Sequence, residues 1–248
     1  KRESKLLPYL TDWLHLLVRW AHFTVGIAWI GASFYFNWLN NSVRELKKPE
    51  PGVLGEVWSV HGGAFYRVTK QDSKMEKLPE PLHWFKYEAY FTWITGVLLL
   101  GIIYYFGKTV PLVSESAGLH HHAAVGVGIG SMVLFWVIYD ILCKSPVTRS
   151  PRLLFAILFS ILTVAAYGLS EIFTPRAAYI HVGAMIGTAM AANVFFVIIP
   201  GQKAMVDATV RGEVADPAHG AAGAMRSLHN NYFTLPILFI MISSHFPA

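Results

Sequence analysis

Six long apolar runs constrain the fold of this chain more than any other feature. They lie near residues 10–37, 88–107, 122–143, 152–171, 177–200 and 231–248, separated by polar or Pro- and Gly-containing segments. A helix rises about 1.5 Å per residue, so about 20 apolar residues cross about 30 Å of hydrocarbon. The charged fraction is 14% and the hydrophobic fraction 54%, whereas soluble domains are roughly a quarter charged. The sequence therefore predicts an all-α, polytopic transmembrane helix bundle of about six spans, in one domain over residues 1–248.

The distribution of basic residues predicts the orientation of this bundle. Of the 20 Lys and Arg residues, five lie on the N-terminal side of the membrane, Arg19 lies within the first run, and the other fourteen lie on the opposite side. Because Lys and Arg are enriched in cytoplasmic loops, we expect the N-terminus outside and the loops at 38–87, 144–151 and 201–230 in the cytoplasm. The segments 108–121 and 172–176 are then external.

The net charge of +5 is explained by this bias, and we expect the lipid bilayer rather than nucleic acid as the partner of the chain. The single cysteine, Cys143, cannot form an internal disulfide. The sequence also lacks the C-x-x-C-H motif that attaches a c-type haem.

Polar and aromatic residues cluster near the predicted cytoplasmic helix ends. The clusters include the following residues: His61, Phe65, Tyr66, His83, Lys86, Glu88, Arg226, His229, Asn230 and Asn231. Such side chains suit a planar, polar, anionic ligand, because aromatic faces stack on it, amides pair with its edges and a cation neutralises its charge. An aromatic belt at the membrane interface is the alternative explanation.

The first apolar run contains a second group of polar residues. His15, Arg19 and His22 share a helical face with Gly26 and Ser33. Ionisable groups within a span usually mark a functional path, and a transmembrane histidine is a common axial ligand of b-type haem.

The fifth run opens with His181, which is followed by Gly183 and Gly187. His22 and His181 are therefore a candidate pair of haem b ligands, with hydrogen-bonded packing residues as the alternative. The two glycines suit the close approach of either a flat ligand or a neighbouring helix. The three consecutive histidines at 120–122 cannot point one way on a helix, which favours a solvated helix end over a metal site.

Several of these segments together resemble the N-terminal domain family of membrane-bound urate oxidases. The segments are 19–22, 26–36, 60–66, 82–93, 181–185, 193–202 and 227–232. The resemblance implies a domain of about eight helices, often joined to a C-terminal cytochrome c domain, in a bacterial inner membrane. It also implies oxidation of urate toward 5-hydroxyisourate, with the electrons passed to cytochrome c.

This chain ends after about six runs, so we expect further C-terminal sequence, or haem c on a separate redox partner. The chemistry of the clustered residues suggests specific roles in urate oxidation. His61 and His229 are candidate proton acceptors and Glu88 a candidate relay, whereas Phe65, Tyr66, His83, Lys86, Arg226, Asn230 and Asn231 would bind the substrate. The alternatives are a haem-bearing or structural subunit of a respiratory assembly, and, less favoured, a transporter.

Overall fold

The protein is described here by a computed structural model that covers residues 3–48, 50–72, 78–107 and 110–243. The described residues form seven α-helices and one two-stranded sheet. The helices are α1 (Glu3–Ser42), α2 (Tyr87–Leu100), α3 (His121–Lys144), α4 (Pro151–Ile172), α5 (Pro175–Asn193), α6 (Ile199–Val210) and α7 (Pro217–Ser243), and the strands are β1 (Val53–His61) and β2 (Ala64–Gln71). Short π-helices at Gly101–Tyr105 and Val194–Ile198 extend α2 and join α5 to α6.

Among the described residues, four helical segments are long and apolar enough to cross a membrane. They are Tyr87–Tyr105, His121–Lys144, Pro151–Ile172 and Pro175–Val210. Many large apolar side chains on the outer faces of the helices are exposed, including Phe159 and Val164 on α4. Continuous exposed apolar surface of this kind suits a lipid environment. These four segments and their exposed apolar faces fit the prediction of a multi-pass membrane protein.

The first and last predicted spans coincide with α1 and α7, which are not among those four segments. Asp12, His15 and Arg19 make α1 more polar than the other runs. The described part of α7 begins at Pro217, well before the predicted start at residue 231, and residues 244–248 lie outside the described range. The predicted count of six spans is therefore only partly supported.

Helix α5 occupies the centre of the bundle. About half of the most apolar part of the segment Pro175–Val210, which includes α5, is buried, against about a fifth in each of the other three segments. Helix α5 packs against α3, α4 and α7. Added Cβ atoms at Gly183 and Gly187 would lie 2.8 Å from Ile240 and 3.0 Å from Ile237 of α7. These two glycines therefore serve the approach of a neighbouring helix.

The all-α prediction needs a correction at residues 53–71. Strands β1 and β2 pair antiparallel across Gly62 and Gly63, whose φ angles are +58° and +79°. A two-residue turn with positive φ at both positions favours glycine, and its twist matches that of the strands. The two paired strands thus satisfy the backbone hydrogen bonds of this segment without a helix.

The prediction that residues 201–230 form a loop was wrong, because most of these residues are helical. Helix α5 continues through Val194–Ile198 into α6, and α7 starts at Pro217. Pro200 does not end the helix; it lies directly after the π-helical segment Val194–Ile198, where the hydrogen-bond spacing of the helix changes.

The two segments predicted to be external lie together. The Ser114 N–H donates to the carbonyl of Ile172, and the Thr174 N–H donates to that of Leu112, both at 2.9 Å. Segments 110–120 and 172–176 therefore lie at the same end of the bundle.

Cysteine labelling in intact cells tests the orientation itself. Ser73 and Ala218 both lie in loops predicted to be cytoplasmic; Ser73 is outside the described residues, whereas Ala218 is exposed at the start of α7. We expect Ala218→Cys to resist an impermeant thiol reagent until the cells are permeabilised. Ser116, which is exposed in a segment predicted to be external, provides the matched control, and Ser116→Cys should label without permeabilisation. The opposite pattern would invert the orientation.

Candidate functional site

A buried arginine lies where α3, α5 and α7 meet. Arg226 of α7 is only 2% exposed. Its Nη2 lies 2.6 Å from Asp140 Oδ1, and its Nη1 donates to Asn193 Oδ1 at 3.1 Å. The guanidinium also lies 4.9 Å from the ring centroid of Tyr139. A cation is tolerated here because a carboxylate, an amide and an aromatic face replace its water.

Hydrogen bonds continue from Arg226 through two buried amides. Asn193 Nδ2 donates to the Tyr139 hydroxyl at 3.1 Å and to Asn230 Oδ1 at 2.9 Å. Asn230 Nδ2 donates in turn to the carbonyl of Met190 at 3.0 Å. The guanidinium can only donate and the Met190 carbonyl can only accept, so the two ends fix the orientation of both amides.

His229 connects this network to a less buried region. Its Nδ1 lies 2.9 Å from the Tyr139 hydroxyl and 3.7 Å from the Cys143 sulfur. Tyr139 is fully buried, whereas the His229 side chain is half-buried. Within the described part of the chain, His229 Nε2 has no hydrogen-bond partner. We call the set Tyr139, Asp140, Asn193, Arg226, His229 and Asn230 the inner polar network.

The inner polar network and the adjacent Lys144 together carry an excess of positive charge. Asp140 is shared by Arg226 and by Lys144, whose Nζ lies 2.5 Å from Oδ2. Lys144 is 71% exposed. One carboxylate between two cations leaves about one uncompensated positive charge, which favours a nearby monoanion. The buried Arg226 Nε has no partner among the described residues.

A π-helix lies directly beside the network. The segment Val194–Ile198 begins at the residue after Asn193. Such π-helical turns occur often at functional sites, and polar side chains within a membrane span are costly and usually functional. The inner polar network is therefore the strongest candidate site in the described part of the chain.

The predicted site residues on the hairpin lie apart from this network. His61, Phe65 and Tyr66 are exposed around the Gly62–Gly63 turn, with Phe65 exposed to 80%. The hairpin meets α1 through the Arg44–Glu56 backbone pair and a hydrogen bond from Lys70 to Asn40. No hydrogen bond or ion pair within the described ranges joins the three tip residues to α7.

The hairpin has an ion pair of its own. The Arg67 side chain pairs with Glu56 across the two strands, and this hydrogen bond lowers the pKa of the Glu56 carboxyl. The pair is exposed, so it contributes little to stability.

The residues predicted around the start of α2 form a third group. The His83 ring packs edge-on against Phe85, which contacts Phe36 of α1. Lys86 lies over the rings of Trp84 and Tyr87. These contacts match an interfacial aromatic belt.

Two further predicted residues also lie outside the inner polar network. Glu88 carries a buried Oε2 atom without a partner in the described structure. Asn231 points away from the inner polar network and donates to Ser33 of α1 at 3.4 Å. The predicted site residues on α7 are thus divided between two sides of that helix.

His181 lies in a separate buried cluster at the predicted outer end. Its Nδ1 lies 2.7 Å from the Ala177 carbonyl and its Nε2 lies 2.9 Å from the Tyr105 hydroxyl. An added Cβ at Gly128 would lie 2.8 Å from both His181 Nε2 and the Tyr105 oxygen. His181 as placed does not fit an axial iron ligand, because both ring nitrogens are engaged and no space adjoins Nε2.

Three other histidines, His22, His120 and His121, also have partners. His22 Nδ1 lies 3.0 Å from both the Thr92 carbonyl and the Thr95 hydroxyl, which joins α1 to α2. His120 is the N-cap of α3, as a helix end requires, and His121 Nε2 contacts the Tyr105 carbonyl at 2.8 Å. The assignment of haem b to His22 and His181 stays a prediction that this arrangement does not favour.

Tyr139, Asp140 and Asn193 were missed as site residues in the sequence. A signal was present, since Asp140 and Asn193 are polar residues inside the apolar runs 122–143 and 177–200. Sequence alone does not show that these side chains turn inward to Arg226.

The fold and the network together define a helical membrane protein with a charged, hydrogen-bonded core at one end of its bundle. The profile of the urate oxidase N-terminal family matches residues 8–248. The chain therefore belongs to the urate oxidase N-terminal family. No curated protein and no solved structure gives a significant match.

Proposed function

We propose that this chain is the membrane domain of a redox enzyme that oxidises urate to 5-hydroxyisourate and passes the electrons to cytochrome c. The family match over residues 8–248 carries this proposal. The location would be a bacterial inner membrane, with haem c on another domain or on a partner protein.

The inner polar network supports a urate site at this end of the bundle. Urate is a monoanion near neutral pH, and the shared Asp140 leaves a positive excess beside Arg226 and Lys144. The half-buried His229 lies between the positively charged pair of side chains and the more exposed side of α7. We place the substrate against His229, with Arg226 acting through its charge rather than through direct contact, because it is buried.

The reaction adds water to urate and releases two electrons and two protons. The electrons need an acceptor of cytochrome c type, and the protons need a basic group near the substrate. Of the three groups predicted for this role, His61 lies on the exposed hairpin turn apart from the inner polar network, which leaves His229 and Glu88 as the candidate groups.

Urate-driven reduction of cytochrome c by membranes that carry the full-length protein tests the proposal. We expect His229→Ala to lower the rate at least tenfold at low urate concentration, because it removes a polar group beside the bound anion. His61→Ala is the matched control, since His61 is exposed on the hairpin turn, and it should keep a rate close to that of the wild-type protein.

Two other results would count against this account. If His61→Ala abolished turnover and His229→Ala did not, the substrate site would lie at the hairpin. If wild-type membranes of equal protein abundance reduced no cytochrome c with urate, the chain would instead be a structural or haem-bearing subunit of a respiratory assembly.

A further inference from the structure

The hydrogen bonds around Tyr139 determine which ring nitrogen of His229 carries the proton. Arg226 can only donate, so Asn193 turns its Oδ1 toward Arg226 and its Nδ2 toward the Tyr139 oxygen. The Tyr139 oxygen thus already accepts one hydrogen bond. The Tyr139 hydroxyl proton is therefore available for donation to another acceptor.

His229 Nδ1 is the best acceptor for that proton. It lies 2.9 Å from the Tyr139 oxygen. The other polar side chain beside the pair is Cys143, but its sulfur is a weak acceptor. A hydrogen bond from Tyr139 to Nδ1 requires that nitrogen to be unprotonated, so a neutral His229 carries its proton on Nε2.

Nε2 is the nitrogen that remains available to a ligand. In the described structure only Nδ1 of His229 has hydrogen-bond partners, and the side chain is half-buried rather than enclosed. An imidazole in this tautomer presents an N–H group at its free edge. It can donate to an anion there, but it has no lone pair on Nε2 with which to take up a proton.

We propose that Tyr139 is a positioning residue that holds His229 as a neutral imidazole with its proton on Nε2, so that His229 donates a hydrogen bond to an oxygen of the urate anion. This inference rests on the proposed function and changes the part that His229 plays in it. The group that removes the substrate proton is then a different one.

Nitrogen NMR of the full-length protein in bilayers, with ¹⁵N-labelled histidine and without urate, tests the tautomer. The His229 signals are identified by their loss in His229→Gln. We expect a neutral ring protonated on Nε2 in the wild-type protein, and a shift toward the other tautomer in Tyr139→Phe. A wild-type His229 that is protonated on Nδ1, or on both nitrogens at neutral pH, would overturn the inference.

Kinetics of urate oxidation supply a second, independent readout. A Gln amide can replace the Nε2–H donor but cannot act as a base. We therefore expect His229→Gln to recover most of the activity lost in His229→Ala, with the loss in His229→Ala seen mainly as an increase of about tenfold in KM. Tyr139→Phe should also raise KM.

Equal losses of kcat in His229→Gln and His229→Ala would instead identify His229 as the base and refute the donor role. If the wild-type protein oxidised no urate, the proposed function would fail, while the NMR experiment would still decide whether Tyr139 sets the tautomer of His229.

Discussion

Arg226→Ala is expected to destabilise the protein by about 3–5 kcal/mol, because it removes one partner of a buried ion pair. The substitution leaves Asp140 with only the exposed Lys144, and it leaves Asn193 Oδ1 without its donor. Unfolding of the purified protein in mixed micelles, followed by circular dichroism as denaturing detergent increases, measures the change in the free energy of unfolding.

Lys144→Ala provides the matched control on the same carboxylate. Lys144 is largely exposed, and an exposed ion pair contributes about 0–1 kcal/mol. Replacing both Arg226 and Asp140 by Leu should restore part of the stability lost in Arg226→Ala, because no unpaired charge remains buried. If Arg226→Ala and Lys144→Ala had equal small effects, Arg226 would not be buried as described.

Gly128→Ala is expected to lower the free energy of unfolding by about 1–3 kcal/mol, since the new methyl group would lie 2.8 Å from both His181 Nε2 and the Tyr105 oxygen. Both rings are held by their mutual hydrogen bond and neither can withdraw freely. The same detergent titration measures this effect.

Two neighbouring glycines on α3 make the comparison specific. Added Cβ atoms at Gly126 and Gly130 meet nothing within 4 Å. Because alanine favours the helix over glycine, Gly126→Ala and Gly130→Ala should leave stability unchanged or raise it by about 0.5–1 kcal/mol. A loss in these variants as large as that in Gly128→Ala would indicate a general intolerance of α3 rather than a local clash.

The apolar runs predicted the membrane helices well, because the cost of exposing a backbone to lipid leaves few alternatives to a helix. Predicted spans 88–107, 122–143 and 152–171 agree closely with Tyr87–Tyr105, His121–Lys144 and Pro151–Ile172. The hairpin was missed although Gly62–Gly63 between β-branched and aromatic residues is a turn signal. The continuation of α5 was not predicted, because Pro200 and Gly201 close the apolar run 177–200 and proline usually ends a helix.

The site was predicted less completely than the spans. Arg226, His229 and Asn230 were recognised as polar residues near a helix end, and the structure brings these three together. Their partners come from α3 and α5, and a sequence without structure does not show which helices are neighbours. The predicted residues of the hairpin and of the start of α2 are polar and aromatic like those of the site, but they lie elsewhere in the structure.

The central helix joins the two polar clusters of the bundle. His181 and Asn193 both lie on α5, twelve residues apart, which at about 1.5 Å per residue is about 18 Å. A tightly packed helix moves as a stiff rod. A displacement of Asn193 along the helix axis would therefore carry His181 with it and change the distance between His181 and Tyr105.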